Sequence, residues 1–436
     1  MKGSFDDIKR LNSFTEGGLI LLCGALAIGS AASYLVFGVV SAVVAAMCVV
    51  SEECRSSVRS YFQEAKWIWI LVLLFLIVSV TVSLLSPMSK LAGLGELKWV
   101  FIWVALLVPV AALHRPHGTE RVSRWIAWFV VVLIVISAID GVAQVFTQRN
   151  ILRELMGSRL EFPSSRASGF LRNPVQFGHL MGCLFWMAAV GVHFARAEKN
   201  RPAFWMAAVV VLASFGGVLM SQSRGSWLAM VAVGAFSLFL LKGHARRGWM
   251  GVVGAATLAG VTALVASDSI RDRMVSAFDP KELANRLRLE LWEANFAILR
   301  EHPWGVGFRS NQEILLVKFE ELGIEPFKEM YRAHNEFIDI AVASGWLGVA
   351  LYLAFSAWLF VRVVVASRAA PISAKHQWSH FLLYSSALLQ VFVHVGALTA
   401  HIGTVERFFL CIAWAIAIVV PIDLAREKMG AAVGST

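Results

Sequence analysis

Charge is scarce in this chain. Only 16% of its 436 residues are Asp, Glu, Lys or Arg, against about a quarter in an ordinary soluble domain. Apolar residues make up 58%, and mean hydropathy is +0.68. A chain of this length cannot hide so much apolar surface from water, which excludes a soluble enzyme. The same composition excludes disorder. Cysteine is also scarce. Cys23, Cys48, Cys183 and Cys411 fall in apolar runs and Cys54 in a connecting loop. Neither a structural disulfide nor a cysteine-based zinc site is therefore expected. There is no nucleic-acid motif, no internal repeat of fixed period and no low-complexity tract. The first apolar run lacks a clear small-residue cleavage site, so no removable leader is expected.

What the sequence does have is long apolar runs. A run of about 17–25 residues crosses a bilayer as a helix. Twelve are read, at 15–31, 34–50, 67–86, 97–113, 125–146, 174–195, 203–220, 226–241, 249–267, 345–366, 379–399 and 405–425. They are continuous rather than alternating, which favours helices over a barrel. The fold class expected is an all-α polytopic membrane protein with about twelve transmembrane helices. It divides into residues 1–267 with nine spans, a helical loop at 268–344, and residues 345–436 with three spans and a short tail.

Against this background the net charge of +10 stands out. In a soluble protein it would suggest nucleic acid; in a membrane protein the question is which side the cations occupy. Twelve spans put both termini on one side. The loops there carry twenty Lys and Arg, and the short loops opposite carry nine. Ten more sit at 268–334, a segment long enough for the orientation rule to lose force. The termini are expected to be cytoplasmic and the long segment external.

Five of the nine external short-loop cations fall together, as Arg149, Arg153, Arg159, Arg166 and Arg172. Pro163, Gly169 and Pro174 prevent one continuous helix there. Asn173 followed by Pro174 suits the start of a span, because Asn caps and Pro fits the first helical position. Arg224 sits in the tight turn SQSRGSW at the end of a membrane helix. Arginine is expensive at that depth unless it snorkels or meets an anion, and its planar fork suits phosphate. In the long segment, Leu283, Leu287, Leu291 and Ile298 recur at helical spacing, with Ala294 filling the stripe. Pro303 ends that helix. Ser310 to Glu313 has capping-box spacing for a second. A third is expected from Pro326, carrying His334 and Asn335 just before the bilayer. His334 is the best general-base candidate, because its ordinary pKa of about 6.5 lets it take and return a proton near neutrality. Neither Glu336 nor Asp339 has the spacing to be its clear partner.

Four segments then occur in order: RASGFLRNPVQFGHLMG, SQSRGSWLAM, RLELWEANFAILREHPWGVGF and HNEFIDIAVASGWLGVALY. Together they resemble the O-antigen ligase and O-antigen polymerase superfamily. The resemblance implies a GT-C-like inner-membrane glycosyltransferase with a periplasmic helical cap. Its donor would be an undecaprenyl-diphosphate-linked O-antigen and its acceptor the lipid A–core oligosaccharide. It implies Arg224 and Arg288 as diphosphate binders, Arg166 and Arg172 as second-rank candidates, and His334 as base or as the residue positioning the acceptor hydroxyl. Asn335 and Asn173 would support the site. No cofactor, metal or nucleic acid is implied, and attack at the anomeric carbon would invert it. Polymerases of this type often carry Arg-x10-Gly motifs; no external Arg here has Gly eleven positions on. A protein-glycosylating ligase and a transporter also compete with the ligase reading. The transporter is disfavoured because the polar candidates gather at one surface and no repeat is visible.

Overall fold

The computed structural model describes residues 52–86, 120–147, 173–197, 199–240, 243–308, 311–325, 332–369, 377–401 and 403–433, with scattered residues between 97 and 107 and between 149 and 171. Every described element is a helix. In chain order they are α1 (Glu52–Glu64), α2 (Lys66–Leu85), α3 (Glu120–Thr147), α4 (Pro174–Ala197), α5 (Arg201–Ser221), α6 (Arg224–Leu240), α7 (Gly243–Ala266), α8 (Asp268–Val275), α9 (Leu283–Glu301), α10 (Asn311–Glu321), α11 (Glu336–Ala369), α12 (Gln377–Ala397) and α13 (Thr404–Val433). Among the described residues, seven helices are long and apolar enough to cross a membrane: α2, α4, α5, α7, α11, α12 and α13. Two shorter apolar stretches, Ile134–Thr147 of α3 and Arg224–Leu240, accompany them. The expected spans at 15–31 and 34–50 lie outside the described residues.

Local chemistry sets where the helices begin. Asn173 Oδ1 accepts from the Val175 N–H at 2.8 Å, and Pro174 opens α4. Asn200 Oδ1 does the same for the Ala203 N–H at 3.2 Å. Both satisfy an N–H that the first helical turn leaves without a partner. Between α5 and α6 the chain turns in two residues, with Gln222 left-handed at φ 49°.

Burial separates the centre from the rim. The apolar window of α13 is 89% buried and that of α7 only 6%. Helix α13 lies against α12, α11 and α4, and α12 also packs on α6. Inside a bilayer no water is expelled when helices meet, so close fit and interhelical hydrogen bonds must hold them. The Ser386 hydroxyl donates to the Ala413 carbonyl at 2.7 Å, and Ala413 and Ala417, one turn apart on α13, are fully buried.

The segment 268–321 is amphipathic rather than apolar. Leu287, Leu291, Ala294 and Ile298 of α9 are buried as their spacing requires. Leu283 is not; it is the first residue of the helix and half exposed, because the buried stripe begins one turn later. Helix α9 packs on α11 and on α10.

The reading of a third helix from Pro326 is corrected. His334 and Asn335 precede a helix that starts at Glu336, and residues 326–331 lie outside the described ones. Asn335 ends up as the cap: its Oδ1 accepts from the Phe337 and Ile338 N–H groups at 3.0 and 3.3 Å. The helix then continues to Ala369 across a break at Gly345, φ 73°. The break pairs with the turn after α9. Val306 N–H donates to Val342 O at 2.8 Å, Gly307 N–H to Ala343 O at 2.9 Å, and Trp346 N–H to Pro303 O at 3.1 Å. A Cβ on Gly345 would lie 2.5 Å from the Trp304 carbonyl carbon. Gly345→Ala is therefore expected to destabilise by about 2 kcal/mol or more. Thermal unfolding of detergent-solubilised protein checks this against Gly254→Ala on α7, where a Cβ meets nothing within 4 Å.

Candidate active site

The α5–α6 turn, α8 and the start of α9 bring arginines together. Arg224 is nearly buried, at 11% exposure. Its Nη1 donates to Ser276 O at 2.9 Å and to Asn285 Oδ1 at 3.0 Å. Its Nη2 meets Glu282 Oε1 at 3.0 Å. Arg224 thus ties the turn to the segment after α8. Arg273 reaches the same carboxylate oxygen at 3.6 Å and donates from Nε to Gln222 O at 3.4 Å. Arg166 donates from Nε to Ser221 O at 3.0 Å, on the neighbouring residue of the turn.

The loop carrying Arg166 is fixed by its own contacts. Ala167 N–H donates to Met220 O at 2.8 Å. The Ser168 N–H and hydroxyl both donate to Gln144 Oε1 of α3 at 3.0 Å. Gly169 is left-handed at φ 48°, with a Cβ position 2.6 Å from the Phe177 ring; only glycine fits there.

Arg288 completes the set from the second turn of α9. Its guanidinium makes no ion pair among the described residues, though the charges of Arg224, Arg273 and Glu282 all reach it. Four guanidinium groups thus gather here, and the Glu282 carboxylate reaches three of them. Burial pushes Arg166 down to about 10, and Arg273, Arg224 and Arg288 add to this by repulsion. Burial and Arg224 lower Arg273 and Arg288 in the same way. Burial opposes ionisation of Glu282, but the hydrogen bond and charge of Arg224, with help from Asn285 and Arg273, hold its carboxyl below the usual range. A guanidinium stays charged near neutrality even when its pKa is lowered to this extent. An anion placed among the four would relieve the repulsion.

His334 lies beside this cluster. Its φ is 50°, in the left-handed region. Burial disfavours the imidazolium and the Arg288 charge adds to this; together they outweigh Asp339 and put the His334 pKa below 6.5. The ring is therefore mostly neutral at pH 7 and able to accept a proton.

On its other side His334 borders an ion-pair network. His401 Nδ1 lies 2.8 Å from Glu336 Oε2 and 3.2 Å from Asp339 Oδ2. Arg407 Nη2 reaches Glu336 Oε1 at 3.0 Å, and Arg332 contacts the His401 ring. Burial opposes protonation of His401, but the hydrogen bonds its ring donates to Asp339 and Glu336 raise its pKa above 6.5. Glu336, Asp339 and His401 bring ligand-capable atoms within 4.8 Å of one another, but two guanidinium groups already engage this cluster. Glu336 and Arg407 also line a mostly apolar cavity of about 90 Å³, walled by Trp99, Trp103, Phe355 and Trp414.

Of the residues singled out in the sequence, Arg166, Arg224, Arg288 and His334 come together. Arg172 lies outside the described residues. Asn173 and Asn335 serve as helix caps, and Asn335 Nδ2 also donates to Leu398 O at 3.2 Å. Sequence reasoning misses Arg273 and Glu282. Arg271 and Arg273 look alike in the sequence. Only in space does Arg271 pair with Asp268 one turn away, while Arg273 turns to the α5–α6 turn. His394 packs among Tyr352, Phe337 and Trp414.

No curated protein matches the chain. Residues 208–353 match the family model described as O-antigen ligase. The matched stretch runs from α5 through the arginine-bearing turn, α8, α9 and His334 into α11. It supports membership of this multi-pass helical membrane protein in the O-antigen ligase/polymerase superfamily.

Proposed function

We propose that this protein is an O-antigen ligase at the periplasmic face of the bacterial inner membrane. It transfers a glycan from undecaprenyl diphosphate to a sugar hydroxyl of lipid A–core. The observation that carries this reading is the cluster of four guanidinium groups, three of them within reach of the Glu282 carboxylate, with neutral His334 beside it.

The chemistry follows from the charges. The donor is already activated, because a diphosphate is a good leaving group. As the anomeric C–O bond breaks, negative charge grows on the departing diphosphate. Arg288, Arg273 and Arg166 are placed to stabilise it, at a depth where charges are screened less than in water. Arg224 holds Glu282 and the segment after α8, and adds its charge to the field. Arg172 is a further candidate for the same role. His334 accepts the proton of the acceptor hydroxyl as the new C–O bond forms. In-line displacement inverts the anomeric carbon. This chemistry assigns no step to a metal or cofactor. The termini would then be cytoplasmic.

The test offers purified protein undecaprenyl-diphosphate glycan with one acceptor at a time: lipid A–core, a second lipid-linked repeat, or a peptide. Glycan on lipid A–core alone is expected. Extension of the lipid-linked repeat with no core product would make the protein a polymerase instead.

A further inference from the structure

The residue before His334 is held at both of its peptide groups. The Ala333 N–H donates to Asp339 Oδ1 at 3.0 Å. The Ala333 carbonyl accepts from Trp292 Nε1–H at 2.7 Å. Ala333 itself is fully buried. The residue after His334 is held as well, by the Asn335 cap on α11 and its bond to Leu398. His334 sits between these anchors in a left-handed conformation, which a residue with a Cβ keeps only where its surroundings over-determine it.

Asp339 does not act on the His334 ring by a hydrogen bond; only its charge reaches the ring. Its carboxylate is divided between the Ala333 N–H and His401, whose Nδ1 lies 3.2 Å from Oδ2. Glu336 and Arg332 hold the other contacts of His401, and Arg407 balances Glu336. Trp292 comes from the opposite direction, on α9, one turn beyond Arg288. The same helix therefore carries a cation of the arginine cluster and a hydrogen bond to the peptide that precedes His334.

We propose that Asp339 and Trp292 form a clamp on Ala333 that fixes the backbone of His334 and so aims its imidazole at the acceptor hydroxyl. Both are positioning residues, and His401 orients the Asp339 carboxylate. The clamp also gives α9 a mechanical link between donor diphosphate and base. A shift of α9 on donor binding would be felt at His334 through one hydrogen bond. The clamp rests on the transferase reading above for its consequence, but not for its geometry.

Three substitutions separate the parts. Asp339→Leu removes the acceptor oxygen at similar size. Asp339→Asn keeps an oxygen for Ala333. Trp292→Phe keeps an aromatic ring and loses the donor. In glycan transfer, Asp339→Leu and Trp292→Phe are expected to lower kcat by about 10-fold to 10²-fold, the scale of a misplaced reacting group. Donor KM should stay near the wild-type value, and Asp339→Asn should recover most of the rate. The second readout needs no transfer. The rate at which diethyl pyrocarbonate modifies His334, followed by mass spectrometry of the full-length protein, should change several-fold in Asp339→Leu and Trp292→Phe and little in Asp339→Asn. If the wild-type protein transfers glycan to no acceptor, the transferase reading fails and the modification rates still decide the clamp. Wild-type modification rates in both Asp339→Leu and Trp292→Phe would overturn it, as would a rise in donor KM with kcat unchanged.

Discussion

Replacing His334 with alanine is expected to lower glycan transfer by about 10²-fold to 10⁴-fold, the usual range for losing a positioned general base. Donor affinity should change little, because the diphosphate is assigned to the arginines. The pH dependence carries the sharper information. His334 is pushed below 6.5 by burial and by Arg288, so it loses its proton at lower pH than a free imidazole. Transfer at saturating acceptor should therefore rise with pH along an acid limb centred below 6.5 and be flat through neutrality. Arg288→Gln removes one source of repulsion and should move that limb upward. Initial rates from pH 4.5 to 8 check both statements. An acid limb that persists unchanged in His334→Ala would assign it to another group.

Replacing Arg288 with alanine is expected to cost about 10²-fold to 10³-fold in kcat, as for removal of one preorganised group facing developing charge. Arg288 stands apart from Arg224 here. Arg224 is committed to Ser276, Asn285 and Glu282, so Arg224→Ala should also lower thermal stability by unfastening the turn from the segment after α8. Arg288 makes no such ion pair among the described residues, and Arg288→Ala should unfold near the wild-type temperature while losing activity. Measuring unfolding and transfer on the same preparations separates a charge that binds from a charge that braces. Equal loss of stability in the two variants would contradict the division of labour.

Much of the site is legible in the sequence because it depends on local chemistry. Asn173 and Pro174 mark a helix start by composition alone, and the structure places α4 there. The α5–α6 turn follows from two apolar runs separated by SQSR. Leu287, Leu291, Ala294 and Ile298 give the buried face of α9 by spacing. His334 stands out as a residue, but the sequence reading sets it on the wrong element. The signal that would have corrected it is Asn335, with Glu336 and Asp339 in the turn that follows, the pattern of a helix N-terminus. The apolar run from 345 draws attention from a helix that begins nine residues earlier, because Gly345 interrupts its regularity. Other parts cannot be read from one chain. Glu282 meets Arg224 across 58 residues of sequence, and His401 meets Asp339 across 62. No spacing rule links such pairs; helix packing alone brings them together. Arg273 likewise gains meaning only from the carbonyl it reaches on the opposite turn.

The four guanidinium groups are central, because the mechanism requires them to form a diphosphate site. Titrating detergent-solubilised protein with undecaprenyl diphosphate, with undecaprenol as control, tests this directly. Saturable binding of the diphosphate is expected, with little binding of the alcohol. Affinity should be at least tenfold weaker in Arg288→Ala and Arg273→Ala, about 1.4 kcal/mol or more for each charge removed. Equal affinity for diphosphate and alcohol, or wild-type affinity in both variants, would contradict it.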